Sequence, residues 1–194
     1  MLRGTSQTFA AVLFLLAASA ALAQENPWSS LRPLGSDPLV VFVRVQKATR
    51  DGLQAVPLDH LFAPGDRFAF EVSPSRGGYV ALHALGPERQ LGERVWPPNP
   101  GGEPVAARSF TRLPRENSLS LEGKEPTRLA LVFSLTPFSD EGGEIPDARW
   151  LRQIRLRDVV VNQDSLLEAP AAVFQGKVAA GQPVGLQVVL ALER

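Results

Sequence analysis

The feature that most constrains the fold of this chain is an alternation of apolar and polar residues with a period of two. Successive side chains of a β-strand point to opposite faces, whereas a helix repeats every 3.6 residues. The alternation runs through residues 39–45, 67–72, 79–84, 128–135 and 184–192. It predicts β-sheets that bury one face in a core and turn the other face outward.

Turn-forming residues separate these runs and divide the chain into short strands. Pro64-Gly65-Asp66 precedes the run at 67–72, and the segment 73–78 predicts a hairpin between this run and the next one. Weaker strands are expected around Phe110 and over residues 119–121, 158–162 and 172–174. Short strands at this spacing predict an all-β fold: a single β-sandwich, immunoglobulin-like or a related Greek key, over residues 38–194.

Two further expectations concern the pairing and the second half of the chain. One short helix is predicted near residues 146–153, because Pro146 suits a first helical turn and Trp150 can then pack on the sandwich edge. The first strand near Leu39 and the last strand near Leu190 are both strongly apolar. We expect these two strands to pair and to close the domain.

The N-terminus has the parts of a cleavable export signal. Arg3 supplies a positive charge, residues 9–21 form an apolar run, and Ala21-Leu22-Ala23 has the small-x-small pattern of a cleavage site. The alternative is an uncleaved membrane anchor, but the run is shorter than the roughly 20 residues that span a bilayer. We predict a signal peptide over residues 1–23, an irregular leader over residues 24–37, and an exported protein, periplasmic or extracellular, without a membrane span after cleavage.

Composition excludes several classes of function. Twenty basic and twenty acidic residues give a formal net charge of zero, so no long-range field attracts nucleic acid. The chain has no cysteine and two histidines, which excludes disulfides and thiol catalysis and disfavours a structural zinc site. We expect no cofactor and no metal, and a stability that comes from burial of the core.

A series of turn glycines, strand hydrophobes and an aromatic-Pro-x-Asn loop extends from Leu61 to Phe138. Its main stretches are LFAPGDRFAFEV from Leu61, GYVAL from Gly78, VWPPN from Val95 and LALVFS from Leu129. This order resembles an uncharacterised bacterial family, a domain of unknown function in exported or multidomain proteins, sometimes beside protein kinase or caspase-like domains. The resemblance implies a β-sandwich with a non-catalytic accessory role, and it supplies no catalytic residues.

The main candidate for a binding surface is the Pro/Gly-rich segment 86–104, which is longer than a hairpin needs. Long loops on rigid scaffolds often carry function, and tryptophan is enriched at binding hot spots. The alternative is that Trp96 caps the open end of the core while the prolines blunt a sheet edge. The candidate binding residues are Trp96, Pro97, Pro98, Asn99 and Tyr79.

Histidine supplies the only catalytic alternative. A hydrolase would need His83 or His60 beside a nucleophilic serine, and no Gly-x-Ser-x-Gly elbow occurs. The simpler interpretation makes both histidines surface or edge-packing residues. The serines to consider are Ser73, Ser109 and Ser134.

Two charged segments complete the candidates. The acidic stretch from Asp140 to Asp147 has the oxygen ligands that calcium prefers, but the favoured interpretation is a solvated loop. An arginine patch follows it and could meet an anionic partner, although the acidic stretch could also neutralise it. The patch consists of Arg149, Arg152, Arg155 and Arg157.

Three functions remain open on this sequence. The first is a non-enzymatic, exported binding or assembly module whose partner is another envelope protein or an envelope polymer. The second is an envelope hydrolase that uses His83 or His60. The third is a structural subunit that associates through an open sheet edge.

Overall fold

The computed structural model describes residues 28, 38–120, 127–139, 149–155 and 171–192. These residues contain fourteen strands. The strands are β1 (Leu39–Thr49), β2 (Gly52–Val56), β3 (Leu61–Phe62), β4 (Arg67–Pro74), β5 (Gly78–Leu85), β6 (Leu91–Trp96), β7 (Glu103–Val105), β8 (Thr111–Leu113), β9 (Leu119–Ser120), β10 (Thr127–Ser134), β11 (Arg149–Trp150), β12 (Arg152–Ile154), β13 (Ala172–Gly176) and β14 (Val184–Leu192).

The strands of this part of the chain form two sheets. Sheet I has the order β12-β13-β1-β4-β8, with β2 also beside β1 and β9 also beside β4. Sheet II has the order β11-β14-β10-β5-β6, with β3 also beside β14 and β7 also beside β5. The prediction of an all-β sandwich is confirmed.

The core lies between the sheets and follows the alternation of the sequence. On β5, Val80 and Leu82 are buried in it, and on β10 so are Leu129, Leu131 and Phe133. β1 is buried on both faces. Val40 and Phe42 point away from the main core and are covered by Trp28, among others.

The predicted hairpin at residues 73–78 is wrong, because this segment carries the chain from sheet I to sheet II. β4 pairs with β1, whereas the next strand, β5, pairs with β10. Hydrogen bonds hold the connection to β1 instead of closing a turn. The Ser75 N–H donates to the Val40 carbonyl at 2.7 Å, and the Ser75 hydroxyl accepts the Val40 N–H at 3.0 Å.

The predicted pairing of the first and last strands is also wrong. β1 is in sheet I and β14 is in sheet II, so the two most apolar strands face each other across the core. Their strong hydrophobicity reflects side chains that enter the same core from opposite sheets rather than a shared ladder.

The helix predicted near residues 146–153 is wrong wherever its residues are described. Residues 149–150 form β11 and residues 152–154 form β12. Long-range pairing overrides the local helical signal, because Trp150 pairs with Gly185 while the Leu151 side chain packs against Gly176. Residues 146–148 lie outside the described residues.

Several other expectations lie outside the described residues. They are the signal peptide at 1–23, the leader at 24–37 apart from Trp28, and the strand at 158–162. In the portion of the chain that is described, no helix has the length and apolarity needed to cross a bilayer.

Candidate functional site

The Trp96 loop, residues 96–102, is held by its own polar groups. Arg94 donates to the carbonyls of Asn99 and Pro100, at 3.1 and 2.6 Å. The Asn99 side-chain oxygen accepts the Gly101 N–H at 3.0 Å, and the Asn99 carbonyl accepts the Gly102 N–H at 3.1 Å. The loop therefore has a fixed shape, and much of its hydrogen-bonding capacity is used internally.

The candidate residues of this loop differ in their exposure. Trp96 is half-buried against the main core, and Pro97 is buried, while Pro98 and Asn99 are exposed. Tyr79 is on β5, where the strand alternation turns it away from the core side that Trp96 covers. The structure thus brings the loop residues together and separates Tyr79 from Trp96 by the thickness of sheet II.

His83 is on the outer face of sheet II, as the alternation predicts, but it is buried there. Its Nδ1 lies 3.1 Å from the Gly92 carbonyl oxygen. Since a carbonyl only accepts, Nδ1 carries the proton, and Nε2 presents a lone pair. Nε2 is buried without a hydrogen-bond partner. Burial lowers the pKa of His83, the hydrogen bond to Gly92 opposes this effect, and the charge of Arg94 adds to it.

The candidate serines do not approach His83. Ser134 shares its sheet face but pairs with Tyr79, four residues from His83 along β5, which is about 13 Å at the rise of a strand. Ser73 is in sheet I, where its hydroxyl accepts the indole N–H of Trp28 at 2.8 Å. Ser109 is exposed in the segment between β7 and β8. None of the three candidate serines therefore lies beside His83.

His60 belongs to a structural cluster around the turn that follows β3. Its ring packs edge-on against Phe62 at 4.9 Å between centroids, and Lys47 forms an ion pair with Asp66. Burial raises the pKa of Asp66, but the hydrogen bonds from Lys47 and from the Ala63 N–H outweigh burial, so the net pKa is lowered. This cluster ties β1 to the turn before β4.

A buried ion pair on the outer face of sheet I was not expected from the sequence. Arg44 is 1% exposed, its Nη1 lies 3.6 Å from Glu71 Oε2, and its guanidinium lies 4.2 Å from the centre of the Phe110 ring. Burial lowers the pKa of Arg44, and Glu71 opposes this effect. The one indication of this ion pair in the sequence is Arg44, an arginine at an outward-facing position of the apolar run 39–45.

A cleft of ≈ 700 Å³ lies between the edges of the two sheets and is here called the side cleft. Its apolar floor includes Leu58, Phe174 and Val188. The cleft lies where β11 in sheet II is followed by β12 in sheet I, with only Leu151 between them. The chain crosses the sandwich at one end of the cleft, and no other described strand covers that side.

Polar and aromatic side chains surround this floor. Arg152, Gln153 and Gln187 lie on strands, and Asp59 lies on the turn before β3. Arg152, Gln153 and Asp59 are exposed, and Gln187 is half-buried. A ligand in the cleft would meet hydrogen-bonding amides and charges of both signs.

Trp150 and Arg89 form one wall of the side cleft. The Arg89 guanidinium carbon lies 5.7 Å from the centre of the Trp150 ring, within the range of a cation–π contact. Arg89 has a φ of 62° and its neighbour Glu88 a φ of 57°, a left-handed conformation that non-glycine residues seldom adopt. Such conformations concentrate at functional sites, because the surrounding structure must maintain them.

The edge of β14 beside this cleft is interrupted. Along one side β14 pairs with β10 continuously. Along the other side it pairs with β11 at Val184 and Gly185, and with β3 at Ala191 and Leu192. Residues 186–190 have no partner strand on that side among the described residues, and we call this stretch the edge gap.

The direction of the backbone groups in the edge gap follows from one hydrogen bond. The Leu151 N–H donates to the Gly185 carbonyl at 2.8 Å. The N–H and C=O of a strand residue point to the same side and alternate along the strand. The backbone groups of Gln187 and Val189 therefore also face the side cleft.

The arginine patch and the acidic stretch of the sequence lie only partly within the described residues. Arg149 and Arg152 lie on strands of different sheets, Arg155 is exposed just after β12, and Arg157 lies outside the described residues. The acidic stretch from Asp140 to Asp147 lies outside them too. Where the structure is described, no three His, Cys, Asp or Glu side chains cluster as metal ligands.

Sequence reasoning singled out Arg152 but missed the side cleft as a whole. The alternation identifies β14 as a strand, yet it does not show which of its edges is left without a neighbour. The chain matches no protein-family model, no curated protein sequence and no solved structure.

Proposed function

We propose that this protein is an exported, non-enzymatic binding module whose ligand surface is the side cleft. The observation that carries the proposal is the cleft itself, where an apolar floor, an aromatic wall, two arginines and an interrupted strand edge converge. Binding sites are typically concave, largely apolar and provided with a few polar groups that orient the ligand. Export rests on the N-terminal segment, and the partner is another envelope protein or an envelope polymer.

The Trp96 loop is the weaker candidate for the contact surface. Arg94 on β6 donates to the carbonyls of Asn99 and Pro100, and the Asn99 side chain accepts the Gly101 N–H. A ligand would have to displace these bonds or contact only the exposed Pro98 and Asn99. In the side cleft the backbone groups of Gln187 and Val189 have no described strand beside them. A strand edge without a described neighbour offers a ligand backbone hydrogen bonds that a loop bonded to itself does not offer.

The resemblance to an accessory domain agrees with this proposal. It implies a β-sandwich that acts beside other proteins rather than on a small substrate. The structure of the described residues adds a surface through which such a domain could act.

Affinity capture from the cell envelope tests the proposal. The bait is the protein purified after export, as wild type, as Arg152→Glu in the cleft, and as Asn99→Ala in the Trp96 loop. We expect wild type and Asn99→Ala to retain the same envelope component, and Arg152→Glu to lose it. Loss with Asn99→Ala alone would move the contact surface to the Trp96 loop, and no retained component with wild type would overturn the binding function.

A further inference from the structure

We propose that the side cleft captures an extended peptide by strand addition at the edge gap, with an acidic residue of the peptide beside Arg152. This inference rests on the proposed binding function and names its ligand class. In strand addition, backbone hydrogen bonds to a sheet edge supply affinity, and alternate side chains supply specificity.

The edge gap has the dimensions of a short strand. It separates Gly185, the last residue paired with β11, from Ala191, the first residue paired with β3. Six residue steps at the rise of a strand span about 20 Å, which accommodates a segment of about five residues. β11 and β3 already occupy the line beside β14 at either end, so an added peptide would complete a row that is present in part.

The backbone of the gap determines which peptide groups would bond. Gln187 and Val189 turn their N–H and C=O groups towards the gap, whereas Val188 turns its own towards β10. In an antiparallel pair, two residues directly opposite each other exchange both hydrogen bonds. The peptide residues opposite Gln187 and Val189 would therefore bond to β14, and the residue between them would not.

The side chains of the gap determine the pattern of the peptide. Residues directly opposite in neighbouring strands project to the same face of the sheet. The peptide residue opposite Val188 would project with it towards the apolar floor, where Phe174 lies. Its two neighbours would project outward with Gln187 and Val189, of which Val189 is 39% exposed. The central part of the peptide is thus an apolar residue between two residues whose side chains face solvent.

The charges of the cleft determine the direction of the peptide. Arg152 lies two residues after Trp150, which pairs with Gly185, and Asp59 lies two residues before Leu61, which pairs with Ala191. The gap is therefore positive at its Gly185 end and negative at its Ala191 end. A peptide antiparallel to β14 has its C-terminal end near Arg152, so an acidic residue there and a basic residue at the other end are complementary.

The opposite edge of sheet II shows what a protected edge looks like. β6 pairs with β5 through register shifts on both sides of His83, and such irregularities discourage further pairing. Arg94 lies in this strand and is bonded to the Trp96 loop. The edge gap of β14 has neither device among the described residues, which makes it the edge that is fit for a partner.

Peptide binding tests the inference with a defined probe. The probe is acetyl-Lys-Thr-Val-Thr-Asp-amide, titrated against the exported protein while tryptophan fluorescence and amide chemical shifts are recorded. We expect shifts at Gln187 and Val189 and a change in the emission of Trp150. N-methylation of both threonines removes the donors that face β14 and should weaken binding about tenfold or more, the loss of roughly 1.4 kcal/mol. N-methylation of the central valine, whose N–H faces away, is the matched control and should change binding little.

Charge exchange tests the direction. The peptide acetyl-Asp-Thr-Val-Thr-Lys-amide has the same composition and should bind wild type more weakly. Arg152→Glu should reverse this preference, whereas Arg50→Glu, on the distant turn after β1, should leave it unchanged.

The outcomes separate this inference from the proposed function. Equal binding of the threonine-methylated and valine-methylated peptides would overturn strand addition, and so would the absence of peptide binding. If Arg152→Glu nevertheless loses the envelope component that wild type retains, the binding function stands without strand addition. If wild type retains no component and binds no peptide, both proposals fall.

Discussion

The Trp96 loop and the edge gap of β14 belong to the same sheet and differ in how far their polar groups are satisfied. In the loop, Arg94 and Asn99 bond to backbone groups, and Trp96 covers the core. In the gap, residues 186–190 lie between two short partners and have none of their own among the described strands. The loop contains tryptophan, proline, asparagine and glycine, which sequence analysis treats as candidate functional residues. The gap contains leucine, valine and glutamine, which are ordinary in a strand.

This difference teaches which kind of observation indicates a binding surface in such a fold. Tryptophan, proline and glycine are required where the backbone turns sharply or where a core must be capped, so their presence reports a structural demand. A missing neighbour leaves no mark on residue type. It becomes visible only when the pairing of every strand edge is examined.

The core beneath the Trp96 loop gives the largest expected effect. Phe70 is 1% exposed and belongs to the same core as Trp96, so Phe70→Ala removes a buried ring and should lower the free energy of unfolding by about 3–5 kcal/mol. Urea denaturation measures the loss. Val189→Ala at the edge gap is the control and should cost about 0.5 kcal/mol or less. Similar costs at both positions would contradict the distinction between a packed and an open region.

Trp96→Ala should give the next largest effect. If the side chain caps the core, its removal lowers the free energy of unfolding by about 3 kcal/mol, at the low end for a buried aromatic because Trp96 is only half-buried. The measurement is again urea denaturation, combined with capture of the envelope component by the folded fraction. Unchanged stability together with lost capture would show that Trp96 is a contact residue and would reverse the comparison.

A smaller, pH-dependent effect is expected from His83, which bonds to β6 beside the loop. Burial lowers its pKa from the ordinary value of 6.5, so the unfolded chain takes up a proton at a higher pH than the folded chain. The free energy of unfolding should therefore fall as the pH drops below about 6.5, until the folded His83 is protonated as well. Denaturation between pH 5 and pH 8 measures this, and His83→Gln should reduce the dependence. An unchanged pH profile in that variant would show that other groups cause it.

Arg152→Glu should have the smallest effect on stability. Its side chain is exposed on the edge strand β12, and surface substitutions usually change stability by no more than about 0.5 kcal/mol. The variant should thus keep the thermal transition of wild type while it loses the envelope component. A large shift of the transition would show that Arg152 supports the fold, and its binding phenotype would then no longer locate the ligand.

The parts of the fold that depend on local pattern were predictable from the sequence. The alternation of β5 and β10 assigns Val80, Leu82 and Leu131 to the core, because a strand that buries one face must alternate. It also places His83 on the outer face. It does not show that His83 is buried there, since this depends on neighbours from other strands.

The parts that depend on distant partners were not predictable. Residues 149–153 carry a helical signal, but Gly185 and the strands of both sheets give them partners that no local pattern specifies. The segment 73–78 has the residues of a turn, and only its bonds to Val40 make it a crossing between sheets. The edge gap is the extreme case, because it is defined by the absence of a partner among the described strands.

The single residue between β11 and β12 determines how rigid the side cleft is. Trp150 in sheet II and Arg152 in sheet I are separated only by Leu151, and two residue steps reach about 7 Å. Facing sheets normally lie about 10 Å apart, so the sheets must converge at this end of the cleft. The width of the cleft is thus limited by covalent geometry as well as by packing. A ligand that binds here loses its own conformational entropy, but few groups of the protein lose theirs. The entropic cost of association is correspondingly small.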